Sequence, residues 1–291
     1  MHNNKKPDRV AITSDDETLR FGWASIDRSR PDEAERIARD VLRRHPQHAG
    51  ALHLLGLALL IQKHPREAVD PLAEAARDTT DPLLETHYAL ALRDVGRKDE
   101  AIDWLKRAIS RIPAFAPAFH ELGLIFCGLR RYDDAEAVLK QGIELAPGVA
   151  ELSVELGGVY IYRAEPAKAK AAFARALALA PDHVRALHGC GTPFLFEGEF
   201  ERASEQFRQV LARTPEHLRA RLSLANCLLE LGRFEAGVTE LRAIVRSSPQ
   251  NYGTALKMLA SSRRGRLWLR PSMAAAFMQI IDNVPYATWS S

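Results

Sequence analysis

Residues 116–149 read APAFHELGLIFCGLRRYDDAEAVLKQGIELAPGV, and three of them set the register of the whole chain: Gly123 at the eighth position, Ala135 at the twentieth and Pro147 at the thirty-second. Pro147 has counterparts at Pro113, Pro181, Pro215 and Pro249, four consecutive gaps of 34 residues. Pro46 lies 67 residues before Pro113, and the intermediate place is held by Thr80 in a unit one residue short. The twentieth position carries a small residue throughout, as Ala34, Ala68, Ala101, Ala135, Ala169, Ala203 and Gly237. The eighth does the same, as Gly22, Gly56, Ala89, Gly123, Gly157, Gly191 and Ala225. Two helices crossing near their middles at about 8–10 Å have room at the contact only for a very small side chain. Proline cannot continue a helix and opens the next one, so it marks the joint between units.

A 34-residue period with these three columns in phase resembles the tetratricopeptide repeat family. The resemblance implies an all-α, right-handed α-solenoid, a superhelix of about seven helix-turn-helix units with C-terminal capping helices, acting as a non-catalytic scaffold for protein partners. The expected organisation is a disordered leader over 1–14 and seven units across 15–249, at about 15–48, 49–81, 82–115, 116–149, 150–183, 184–217 and 218–251. A capping helix over 252–264 and a basic, apolar tail over 265–291 with a short helix follow. Pro271 stands where an eighth unit would need its second helix, so the array is expected to stop there. Within units, Gly96 and Gly198 close first helices, and Asp99, Glu100 and Glu201 lie at the positive start of second helices. The family's early tryptophan is replaced by Leu52, Glu85, Phe119, Ser153, Leu187 and Arg221, which predicts weaker contacts in the third, fifth and seventh units.

Composition is compatible with this reading. The 291 residues are 46% hydrophobic and 26% charged, and their 40 basic and 37 acidic side chains leave a net charge of +3. That balance supplies no general field for polyanions, which argues against nucleic acid as the main partner. Cys127, Cys190 and Cys227 are too few and scattered for a disulfide framework, and the apolar stretches fall short of a membrane span. A cytoplasmic location is the expectation that follows.

No catalytic motif is found beyond the repeat. His120-Glu121 opens like HExxH, but the second histidine is Leu124. Phosphate loops of the GxxxxGK[ST] type and GxSxG elbows are absent, so neither a cofactor nor a metal is expected. Cys190 next to His188 admits an activated thiol, but its repeat position is a packing position.

The resemblance places the partner-binding groove on the first helices, at about their second, fifth, sixth, ninth, twelfth and thirteenth positions. The side chains there are His53, Leu57, His87, Leu90, Arg93, His120, Glu121, Leu124, Glu151, Glu155, Tyr162, Arg185, His188, Arg219 and Asn226. His53, His120 and His188 share the fifth position, which predicts a polar ladder and binding that changes between about pH 6 and 7. Glu121, Glu151 and Glu155 against Arg185 and Arg219 predict an acidic middle and a basic end. The basic ladder by which some members hold acidic chaperone tails is not reproduced, since only Arg219 and Asn226 fall on it. Pro193, inside a first helix, is expected to kink it. Two further readings remain beside the scaffold. One is an accessory or substrate-recruiting subunit of a bacterial transferase or oxygenase system. The other is contact with RNA or acidic membranes through Arg263, Arg264, Arg266 and Arg270.

Overall fold

The computed structural model describes residues 14–261, which form helices and turns without a strand among them. Of the leader expected over 1–14, Ser14 opens the first helix, and residues 1–13, the arginines from Arg263 to Arg270 and the tail helix lie outside the described residues. Two compact units meet at Ala146/Pro147. The first holds α1 (Ser14–Asp27), α2 (Pro31–Arg44), α3 (Ala49–Ile61), α4 (Pro65–Ala76), α5 (Pro82–Asp94), α6 (Lys98–Ile109), α7 (Ala116–Gly128) and α8 (Tyr132–Leu145). The second holds α9 (Ala150–Tyr162), α10 (Pro166–Leu179), α11 (Val184–Phe196), α12 (Phe200–Arg213), α13 (Leu218–Glu230), α14 (Phe234–Ser247) and α15 (Tyr252–Ser261). Within each unit every helix packs on its successor, and neighbouring first helices such as α3 and α5, or α9 and α11, also touch.

The two helices of a pair differ because their surroundings differ. First helices are sandwiched, so α3 (AGALHLLGLALLI) buries an unbroken run from Ala51 to Leu55 together with Gly56, Ala58 and Leu59. Second helices face solvent on one side, so α2 (PDEAERIARDVLRR) buries only Ala34, Ala38 and Val41. The eighth-position glycines from Gly56 onward seat the bulky residue sixteen places later, whereas Gly22 faces Leu54 of the next pair. A Cβ at Gly56 would stand 2.3 Å from Leu72, and one at Gly191 would stand 2.6 Å from Phe207. The Ala89 and Ala225 backbones leave room for a methyl, but at these glycines even a methyl is too large.

Each turn inside a pair bends back through one residue in the left-handed region. These are Ser29, Lys63, Gly96, Arg130, Ala164, Gly198 and Gly232, with φ from 55° to 91°. Four of the seven are not glycine, so the closure of the pair imposes a conformation that their side chains disfavour. Proline at the first helical position opens α2, α4, α5 and α10. The helix α11 runs through Pro193, which is buried, from Val184 to Phe196 as one element. The helix α4 likewise carries a proline in its interior, the half-buried Pro71.

Glu85 corrects one expectation. It replaces the apolar residue of the third unit and is fully buried, yet it is bound by Arg111 at 2.7 Å and lies 3.3 Å from Arg107. An ion pair to the following helix therefore replaces the missing packing. Arg221 does likewise, reaching Glu240 at 2.9 Å and the Pro215 carbonyl. Ser153 fits the expectation, being buried with its hydroxyl unpartnered. At the C-terminal end a 3₁₀ turn (Pro249–Asn251) leads into α15, whose Ala255 is fully buried against Leu229, Leu241 and Ile244.

Candidate partner-binding surface

In the first unit the histidine ladder is internal. His53 is only 7% exposed, donates to or accepts from His87 across 2.8 Å, and stands edge-on to Trp23 with ring centroids 5.0 Å apart. Burial, then the neighbouring His87, pushes the His53 imidazole down to about 4, outweighing the upward pull of Asp81. Burial lowers His87 as well. The His53 ring is therefore neutral at pH 6–7, so the expected titration there is overturned for it. The physical cause is the low-dielectric contact between first helices, which disfavours a second charge. His53 consequently joins repeats and does not face a partner.

His120 keeps a half-buried place 3.5 Å from Glu121, and Glu121 is ion-paired to Arg93. The acidic middle thus has a compensating base after all, one unit earlier in the chain. Leu57, Leu90 and Leu124, all half-buried, occupy the ninth position of their first helices.

The second unit has a cavity of about 520 Å³ where α9, α11 and the start of α13 converge. Five of the predicted residues line it: Glu155, Tyr162, Arg185, His188 and Arg219. Val154 and Phe173, 3% and 4% exposed, form the inner wall, and Tyr162, 68% exposed, stands at the rim. The buried Glu155 carboxylate meets the Arg185 guanidinium at 2.6 Å, so here too the supposed charge gradient is locally cancelled. Arg219 is exposed and forms no ion pair among the described residues. Glu151 is exposed, with His183 at 3.8 Å, and Asn226 is half-buried; neither lines the cavity.

His188 packs on Phe207 and His217, with its Nε2 3.3 Å from the Ser223 hydroxyl. Burial, followed by His217 and Arg219, pushes it down to about 4, so it is neutral near pH 7. Burial also raises the Cys190 thiol and pushes Cys227 up to about 12, which leaves both without thiolate character at neutral pH.

Sequence reading passed over His217, which lines the same cavity. It is the N-cap of α13, and its Nδ1 accepts from the Ala220 backbone N–H at 3.0 Å. His48 and His183 cap α3 and α11 in the same way. The signal was present as Pro-x-His at Pro46/His48, Pro181/His183 and Pro215/His217. Phe173, Gly158 and Thr192 also line the cavity and were not singled out, because their contribution depends on how helices converge.

Among the described residues no group of three or more His, Cys, Asp or Glu is placed to hold a metal ion. Nor is any described helix long and apolar enough to cross a membrane.

Paired helices in a 34-residue period define a helical-repeat protein. Tetratricopeptide repeat models match residues 19–82, 86–115, 128–189 and 193–252, and the chain belongs to the tetratricopeptide repeat family. It is a protein-interaction scaffold by class. A tetratricopeptide repeat protein from Parabacteroides merdae superposes with a TM-score of 0.66 at 16% identity, over 84% of this chain and 97% of that one. Pseudomonas aeruginosa pilF superposes with a TM-score of 0.60 at 18% identity, over 71% of this chain and 94% of its own. The uncharacterized protein y4yS of Sinorhizobium fredii is 33% identical over 94 residues, 32% of this chain. That match spans 52% of the length of y4yS, about half of the relative.

Proposed function

We propose that the chain binds an extended segment of a partner protein, and that the cavity between α9, α11 and α13 is a principal contact for it. The observation that carries this reading is the convergence of first-helix side chains from three successive pairs on one hollow of about 520 Å³, lined by apolar and charged residues together. Recognition sites of this size fix a ligand with a few placed polar groups over an apolar wall. Successive repeats offer one or two such groups each along a segment.

Gly158 provides the test. It lines the cavity, and a Cβ built on it meets nothing within 4 Å, so a large side chain there fills the hollow without colliding at its root. Panning a random heptapeptide display library on the immobilised full chain is expected to enrich a family of peptides. Gly158→Trp is expected to abolish that enrichment while leaving the helical circular dichroism intact. Equal enrichment on both chains would remove the cavity from the binding surface.

A further inference from the structure

We infer that the cavity of the second unit takes an acidic side chain of the partner segment, Asp or Glu, with a large apolar residue beside it against the wall formed by Ile161 and Tyr162. This rests on the peptide-site reading above and adds the chemistry of the ligand.

The charges at the cavity are not equivalent. Glu155, its lining carboxylate, is 7% exposed and held by Arg185 at 2.6 Å. That pair leaves no net charge to attract a ligand. Arg219 is exposed and has no carboxylate partner among the described residues. It belongs to the first turn of α13, where unpaired backbone N–H groups give the helix its positive end. His217 adds a third contribution of the same sign. Its Nδ1 is occupied as an acceptor from Ala220, so the ring proton resides on Nε2, a donor on a residue that lines the cavity. An uncompensated guanidinium, a helix N-terminus and an imidazole N–H therefore come together at one side of the hollow. All three favour an incoming anion, and a cationic side chain meets only a carboxylate that is already paired.

The opposite side sets the second half of the ligand. Half-buried Ile161 and Tyr162, 68% exposed at the rim, present apolar surface there, over Val154 and Phe173, which are almost sealed beneath them. A single unpaired arginine suits one carboxylate and lacks the row of cations that a phosphate backbone requires. The ligand is accordingly a polypeptide segment in which Asp or Glu adjoins a large apolar residue.

The same heptapeptide library distinguishes the outcomes. On the unsubstituted chain, the enriched peptides are expected to carry Asp or Glu next to Leu, Ile, Met or an aromatic residue. On Arg219→Glu the acidic excess is expected to give way to Lys and Arg. For a synthetic copy of the most enriched peptide, changing its acid to the amide is expected to weaken binding to the unsubstituted chain roughly tenfold, as loss of a charge-assisted hydrogen bond does. This last comparison does not depend on how any variant folds. Enriched peptides without an acidic excess, an excess unchanged on Arg219→Glu, or acid and amide peptides of equal affinity would each overturn the inference and leave the peptide site standing. No enrichment on the unsubstituted chain would overturn the peptide site itself.

Discussion

His53 and His120 both hold the fifth position of their repeats, yet one is sealed in a contact between first helices and the other stands half-buried beside a carboxylate. What separates them lies one repeat later: His87 meets His53 at 2.8 Å. The depressed His53 pKa makes a stability prediction. Its folded value of about 4 lies below the ordinary histidine value of 6.5, so the unfolded chain binds more protons between these limits. The stabilisation is full above about pH 6.5 and is lost as pH falls toward 4, with an upper bound of about 3 kcal/mol from this group. Urea midpoints of the unsubstituted chain should therefore be level from pH 7 to 8 and drop below pH 6.5. His53→Leu should start lower and drop less steeply. Parallel pH curves for the two chains would show that His53 is not the group responsible. Position in the repeat was readable from the sequence at this residue; burial was not, because it depends on a side chain 34 residues away.

At the scale of elements, sequence patterning carried most of the information. A near-continuous apolar run followed by an amphipathic one distinguishes first from second helices, and the glycine and alanine columns mark where they cross. What the columns did not show is the tightness of each crossing. A Cβ on Gly157 would stand 2.6 Å from the Phe173 ring, whereas one on the adjacent Gly158 meets nothing within 4 Å. Phe173 also approaches Gly189 of the next pair, where a Cβ would stand 2.4 Å from it, so the ring is gripped from two helices and has little freedom to retreat. Gly157→Ala is expected to destabilise the chain by about 1–3 kcal/mol through overpacking. Gly158→Ala should stabilise it by about 0.5–1 kcal/mol, because alanine loses less backbone freedom in a helix interior. Two neighbouring glycines should thus give opposite shifts in urea denaturation. Shifts of the same sign would mean that Phe173 yields where the geometry says it cannot. The candidate cavity was less legible than the helices for a related reason. Its charged members fell at predicted positions, but the Phe173 beneath its wall and its capping histidine come from a second helix and a loop.

At the scale of the whole molecule, a net charge of +3 and an ordinary composition conceal how the stability is distributed. Buried residues form successive clusters between neighbouring helices: Leu187, Phe207, Val210 and Leu224 belong to one, and Leu229, Leu241, Ile244 and Ala255 to the next. In such an array each repeat draws its stability from itself and its immediate neighbours, so a local defect should remain local. Leu241 gives a clean test because it is fully buried within the last of these clusters, between α13, α14 and α15. Leu241→Ala is expected to cost about 2–5 kcal/mol in that cluster by removing buried methyl groups and leaving a cavity. Hydrogen exchange followed by mass spectrometry should show markedly faster exchange in α13, α14 and α15, with α3 to α6 as protected as before. Those helices are held by their own buried residues, such as Leu54, Leu72, Leu92 and Leu105, without any contribution from Leu241. A uniform loss of protection along the described helices would instead mean that the chain unfolds as one cooperative body, and the description of its core as a chain of neighbour contacts would have to be abandoned.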